Sequence, residues 1–236
     1  MEEGLQSEPV GPSLREKIAG LGERSIRKSY YPQLRQQLER LQVMAEELNH
    51  RVKNTLATVM ALSTQTFHSA ESPEAFREAF EGRLLALSQT HNLLNSSSWT
   101  GVSLRDILWQ ELGPYDSMES GRFLLDGNDL KLGPVMAVTL GMAFHELATN
   151  AAKYGALCTA RGKIRVVWRI SSPGQLHLEW QEMDGPPVSP PRRRGFGSHL
   201  IEQALASDLD GEVRLHFPSE GVRCSMDLPL NRISMH

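Results

Sequence analysis

The sequence predicts an α+β chain: an antiparallel helical hairpin followed by an α/β sandwich with helices on one face of a largely antiparallel sheet. Three observations predict it. Leu34, Leu38, Leu41, Ala45, Leu48, Val52, Thr55, Val59, Leu62 and Thr66 recur at alternating steps of four and three, a heptad seam. Phe76, Ala79, Phe80, Leu84, Leu87 and Leu94 form a second helical stripe soon after it. Beyond residue 98 the pattern changes, with two-residue alternation over Lys163 to Ile170 and Gln175 to Glu182 set among helical stretches.

Taken in order, residues 1–32 hold Gly4, Pro9, Gly11, Pro12, Gly20 and Gly22 and read as a frayed leader, with a short helix from Ser13 to Ile18. Residues 33–97 form the hairpin. Its first helix stops near His68 to Ser72, and Ser72-Pro73 starts the second, serine as N-cap and proline at the first helical position. One hairpin cannot enclose its own seam. Either a second copy completes a four-helix bundle, which would make the protein a homodimer, or another part of the chain covers the stripe. Residues 98–232 form the sandwich, with a short tail at 233–236. Ser103 to Leu112 reads as a helix with Ser103 and Asp106 in capping-box spacing, and Phe123 to Asp126 as a strand. Pro134 opens a long helix that Gly155 ends. Arg169 to Gly174 turns between two strands, Gly197 to Ser207 is helical, and Glu212 to Phe217 pairs with Val222 to Leu228.

Bulk properties narrow the classes of function. A net charge of −3 over 236 residues gives no basic field, so nucleic acid is not an expected partner. The longest apolar runs, such as Val135 to Leu140, are far too short to span a bilayer, and the acidic start MEEGLQSEPV is unlike a signal peptide. Cys158 and Cys224 are the only cysteines, which argues against a disulfide scaffold or a zinc site. No membrane association and a cytoplasmic location are expected.

Chemistry concentrates in four places. In His145 to Leu157, HELATNAAKYGAL, helical spacing puts Glu146, Thr149, Asn150 and Lys153 on one face, backed by Leu147, Ala148, Ala151 and Ala152. Glu146 and Asn150 stand one turn apart, so two oxygens can reach one Mg2+, and Lys153 can meet phosphate. An ordinary exposed helix carries such pairs too. Trp180-Gln-Glu182-Met-Asp184-Gly185-Pro186-Pro187 ends a strand: an acid there can accept from the exocyclic amine of a base, though acid-Gly-Pro is also a plain turn. Arg192-Arg-Arg-Gly195-Phe-Gly197-Ser198 precedes a helix, where free N–H groups and arginines suit an anion. No GxxxxGK[ST], HRD or DFG is present, so neither a P-loop enzyme nor an ordinary protein kinase is supported. Finally, Glu46-Glu47-Leu-Asn49-His50-Arg51-Val-Lys53-Asn54 sets His50 at the heptad position furthest from the seam. Arg51 and Lys53 can meet charge on a transferred phosphoryl group, and Glu47 can orient the imidazole.

Together these segments resemble the HWE subgroup of bacterial sensor histidine kinases, from about Glu47 to Leu230. His145 in HELATNAAKYGAL and Trp180-Gln-Glu182 match the histidine and the Trp-x-Glu that name the subgroup, in its N and G1 boxes. ELNHRVKNTLATV is similar to the phosphoacceptor segment, FEGRLLALSQTHNLL to the second hairpin helix, and GFGSHLI to the G2 box. In many relatives a glycine stands where this chain has Asp184, and Arg51 follows His50 where many other histidine kinases have an acid.

The resemblance implies a Bergerat-type ATP-binding domain, the fold shared with gyrase and Hsp90, joined to a dimerisation and phosphotransfer hairpin. It implies that ATP and Mg2+ are used, with Glu146 and Asn150 serving the metal and phosphates, Lys153 and Tyr154 the phosphate and sugar end, and His145 packing beside the metal. Glu182 or Asp184 would read the adenine amine, and Gly185, Gly195 and Gly197 would make room for the nucleotide. Arg194, Phe196 and Ser198 count among the nucleotide-binding residues. His50 would take the γ-phosphoryl group, in a catalytic segment with Glu47, Arg51, Lys53 and Asn54 and with Glu146 of the N box, and pass it to an aspartate of a response-regulator receiver domain. With no sensory segment ahead of the hairpin, either input is expected from a separate upstream sensor protein or the chain is a relative stripped of its sensor. Two further readings share these parts: a phosphotransfer or scaffold protein with a non-catalytic ATP domain, and an anti-sigma-type kinase acting on a protein serine.

Overall fold

The computed structural model describes residues 14–97, 101–116, 121–171, 174–189, 205 and 209–230, with side chains from Pro32 onward. Helix α1 spans Leu14–Ser69 and runs through Pro32. The expected frayed leader is therefore helical from Leu14: Gly20, Gly22 and Pro32 each weaken the helix without ending it.

The chain divides into two compact units, residues 1–58 and 59–236. Among the described residues, the first consists of α1. Its apolar seam is open: Leu34, Leu38, Leu41, Leu48 and Val52 are all exposed, Leu48 by 63%. Among the described residues of that unit, none folds back over them.

The second unit begins with the last turns of α1 and continues into α2, Pro73–Ser96. Ser72 caps α2 as expected, its Oγ accepting from the Ala75 N–H at 3.1 Å. Phe67, Phe76 and Phe80 follow one another in ring contact at 6.1 and 5.6 Å around the connection. The expected division near residue 97 does not fall on a gap in packing. Leu94 belongs to the main core, and Leu62, Ala86 and Leu87 form a smaller one with Met142 of a later helix.

That later helix, α4 (Pro134–Lys153), lies within the sandwich. The sandwich begins with β1, Val102–Ser103, and α3, Leu104–Leu112. β2 is Phe123–Asp126, β3 is Lys131–Leu132 and α4 is Pro134–Lys153. Four longer strands follow: β4 Lys163–Ser171, β5 Gln175–Met183, β6 Glu212–His216 and β7 Arg223–Pro229. The five-stranded sheet has the order β2-β4-β5-β7-β6, antiparallel except where β2 runs parallel to β4. The short β1 pairs with β3 apart from it. Alternation puts Ile164, Val166, Trp168, Leu176, Leu178, Trp180, Cys224, Met226 and Leu228 on one face, all buried. α3 and α4 cover that face and share its core.

One local expectation fails. Ser103 makes no side-chain cap with Asp106; its hydroxyl is directed to Asp129 at 3.5 Å, because Ser103 is also a residue of β1. Proline at the first position suits the start of α4, where the N–H it lacks would be unpaired in any case. α2 approaches α4 closely: a Cβ on Gly141 would lie 2.7 Å from Thr90 Oγ1. Cys158 is exposed and Cys224 is buried. No helix among the described residues is long and apolar enough to cross a membrane.

Candidate functional site

The Trp-x-Glu spacing has a physical reading in β5. Residues two apart on a strand share a face, so Trp180 and Glu182 both point inward beneath α4. Trp180 stacks on Phe144 with 6.5 Å between ring centroids. Glu182, 3% exposed, reaches the segment after α4, where its Oε2 accepts from the Ala156 N–H at 2.8 Å. Burial pushes the Glu182 carboxyl above its usual range, an effect partly offset by the Ala156 N–H and by the Trp180 indole beside it. The Trp180 Nε1 has no aligned partner in the described structure.

This carboxylate explains Gly155. The glycine has φ −116°, not the left-handed value of a helix-ending glycine, so the expected backbone reason is replaced by a steric one. A Cβ there would lie 2.0 Å from Glu182 Oε2. Gly185 behaves similarly: a Cβ would meet the Ala156 backbone, 2.7 Å from its Cα and 3.0 Å from its N. Between them Asp184 is exposed and takes φ +56°, a left-handed conformation that glycine adopts freely and aspartate tolerates. The G1 turn is thus pressed against the end of the N box helix.

The polar face of α4 is divided. Asn150 and Tyr154 are exposed, Tyr154 by 76%. Glu146 is buried and makes a two-pronged ion pair with Arg83 of α2: Arg83 Nε to Oε1 at 2.6 Å and Nη2 to Oε2 at 2.9 Å. Both of its oxygens, expected to serve a metal, are engaged with the Arg83 guanidinium. Lys153 is paired too, donating to Glu78 of α2 at 3.0 Å, although both side chains are substantially exposed. His145 turns away from Asn150 to Glu111 of α3, its Nδ1 lying 2.9 Å from Oε2. A carboxylate only accepts, so Nδ1 carries the proton. On the other side of the ring, a Cβ on Gly82 would lie 3.5 Å from Nε2.

In the unit formed by residues 1–58, His50 is exposed on α1. Glu47, expected to orient it, instead forms an ion pair with Arg51 one turn on. Lys53 and Asn54 are exposed, and the Asn54 carbonyl accepts from the Thr58 hydroxyl at 3.0 Å. Arg194, Gly195, Phe196, Gly197 and Ser198, together with the expected helix from Gly197, lie outside the described residues.

Sequence reasoning missed Arg83, Glu78 and Glu111. For Arg83 a signal was available. It falls three residues after Phe80 and four before Leu87, on the apolar stripe itself, and a charge on a core face requires a partner. Glu111 is likewise buried among Ile107, Leu108 and Leu112. Which acid would find which base was not readable, because the pairs join segments remote in sequence.

A helix-backed mixed sheet, with α4 ending against an acid-Gly-Pro turn, is the arrangement expected from the sequence resemblance to histidine kinases. Comparison with known proteins agrees. Residues 47–129 match the family model described as HWE histidine kinase. The chain is 35% identical over 191 residues to the blue-light-activated histidine kinase of Brucella ovis, covering 80% of this chain and 39% of that protein. The blue-light-activated histidine kinase of Brucella anthropi is 34% identical over the same length and coverage. Among solved structures, a blue-light activated histidine kinase from Erythrobacter litoralis superposes with a TM-score of 0.59 at 19% identity, covering 79% of this chain and 59% of that one. The chain thus spans 39% of the length of the curated relatives it matches.

Proposed function

We propose that the chain is a two-component histidine kinase that transfers the γ-phosphoryl group of ATP to His50 and then to an aspartate on a receiver domain of a response regulator. The observation that carries this reading is the pairing of two features in one chain. An exposed histidine in NHRVKN lies within the HWE domain, and an N box helix presents Asn150 and Tyr154 to solvent beside the G1 turn.

In the reaction, a neutral imidazole nitrogen of His50 attacks the terminal phosphorus. The P–N bond forms, the bond from that phosphorus to the β,γ-bridging oxygen breaks, ADP leaves, and the imidazole proton passes to solvent. Arg51 and Lys53 supply positive charge near the incoming group, with Arg51 held by Glu47. Asn150 has the oxygen to hold Mg2+, whose role when bound is to neutralise phosphate charge; Glu146 does not fit that set. Lys153 reaches phosphate by exchanging its exposed pair with Glu78, which such a weak contact permits. Tyr154 lies toward the sugar end, and the adenine amine falls to Glu182 or Asp184, with Gly185 bringing the turn close. Gly195 and Gly197 would make room for the nucleotide, with Arg194, Phe196 and Ser198 among the residues that bind it. Self-association through the open seam of α1, and input from an upstream sensor protein, belong to the same reading.

The test is incubation of the purified chain with γ-labelled ATP and Mg2+, beside His50→Ala and Asn150→Ala. Acid-labile label in the wild type, absent from both variants, is the expected result. Label retained in His50→Ala overturns the assignment of the acceptor. Absence of label from ATP, with uptake from a phosphorylated receiver, establishes instead the relay protein with a non-catalytic ATP domain.

A further inference from the structure

Arg83 is the one described guanidinium that joins three helices. It is buried, with its side chain 8% exposed, and grips both oxygens of Glu146 on α4 while its Nη1 donates to Thr66 Oγ1 of α1 at 3.1 Å. Thr66 is fully buried and donates in turn to the Leu62 carbonyl. Apolar contacts surround this junction, with Leu62, Ala86, Leu87 and Met142 packed together and Val59, Phe80 and Val138 at their edge. On either side of it a glycine faces a side chain of the other helix, Gly82 the His145 ring and Gly141 the Thr90 hydroxyl. A buried two-pronged pair of this kind fixes orientation as well as distance, since the planar fork accepts one arrangement of the carboxylate.

We propose that Arg83 is a positioning residue for phosphoryl transfer: through Glu146 it locks the N box helix to the helical hairpin, and Glu146 serves this lock and not the metal. The proposal rests on the histidine kinase reading for its kinetic consequence, but not for its structural one. His145 belongs to the same junction, held from behind by buried Glu111 and faced by Gly82, so the adjacent N box residues His145 and Glu146 both serve helix-to-helix fit. Asn150, one turn further along, is left to the nucleotide. Binding of nucleotide then depends on α4 and the G1 turn, whereas transfer depends also on how α4 is held against α2.

The experiment uses the 236-residue chain with Arg83→Gln, Arg83→Lys, Glu146→Gln and the exchanged pair Arg83→Glu/Glu146→Arg. Autophosphorylation is measured against ATP and Mg2+ concentration. In Arg83→Gln, kcat is expected to fall at least tenfold with KM for ATP within about threefold of wild type. In Glu146→Gln, the Mg2+ concentration for half-maximal rate is expected to stay within about twofold. The exchanged pair is expected to recover at least tenfold over either of its single charge changes, Arg83→Glu and Glu146→Arg. Unchanged kcat in Arg83→Gln, a tenfold rise in the Mg2+ requirement of Glu146→Gln, or no recovery in the exchanged pair overturns the proposal. Amide hydrogen exchange without nucleotide separates this from failure of the kinase reading. Faster exchange in both α2 and α4 is expected in Arg83→Gln and in Glu146→Gln, with Arg83→Lys between them and wild type. If the wild type takes no label but the exchange result holds, the kinase reading fails and the lock stands. If either Arg83→Gln or Glu146→Gln leaves exchange in the partner helix unchanged, the lock itself is refuted.

Discussion

Gly155→Ala places a methyl group where the Glu182 carboxylate now sits. The new Cβ would lie 2.0 Å from Oε2, 2.9 Å from Cδ and 3.0 Å from the Ala151 Cα. Backbone conformation adds little, since φ −116° is available to alanine. The cost is therefore steric, and it has two routes. If Glu182 moves, the hydrogen bond from the Ala156 N–H to a buried carboxylate is lost, worth about 1.5–3 kcal/mol. If Glu182 stays, the backbone after α4 must shift, at about 1–3 kcal/mol for overpacking. The loss is therefore about 1–3 kcal/mol, a fall of roughly 0.5–1 M in the urea midpoint at a slope of about 2–3 kcal/mol/M. All four tryptophans lie beyond residue 58, so their fluorescence reports unfolding of the unit that holds the site. The deciding measurement is a double-mutant cycle with Glu182→Ala. With the carboxylate gone, Gly155→Ala should cost less than about 1 kcal/mol, a coupling of roughly 1.5 kcal/mol. A coupling under about 0.5 kcal/mol would refute the account of why glycine stands at this position.

Other outcomes follow from the same geometry. Because burial raises the Glu182 pKa above 4.5, the folded protein binds more protons than the unfolded chain just above that value, and this carboxyl's contribution to stability declines as pH rises through its folded pKa. Glu182→Gln should therefore gain stability relative to wild type as pH rises above 4.5, a difference that urea titrations at several pH values will show. A difference that stays flat with pH would contradict burial as the dominant cause. Asp184→Gly should stabilise by up to about 1 kcal/mol in the same titrations, because φ +56° strains a residue with a Cβ. Leu48→Glu, on the open seam, should weaken self-association by about 100-fold or more in sedimentation velocity, since each buried leucine contributes roughly 1.5–3 kcal/mol and a symmetric pair counts twice. A wild type that stays monomeric at every concentration would remove the homodimer from the proposal.

The sequence by itself determined the parts whose signals are local. The heptad steps of α1, Ser72-Pro73 at the head of α2, Pro134 at the head of α4 and the alternation of β4 and β5 all follow from backbone periodicity and the shapes of single residues. The motif segments were legible for the same reason, since each lies within a few turns or one strand end. Only the tertiary structure decided their partners. That Glu146 meets Arg83, His145 meets Glu111, and Gly155 yields its side-chain space to Glu182 depends on packing helices and strands that are 63, 34 and 27 residues apart in the chain. An isolated helix shows a row of polar groups facing one way. Burial sorts that row, because a charge taken out of water must find its counterion nearby, while Asn150 on the same helix is left in solvent.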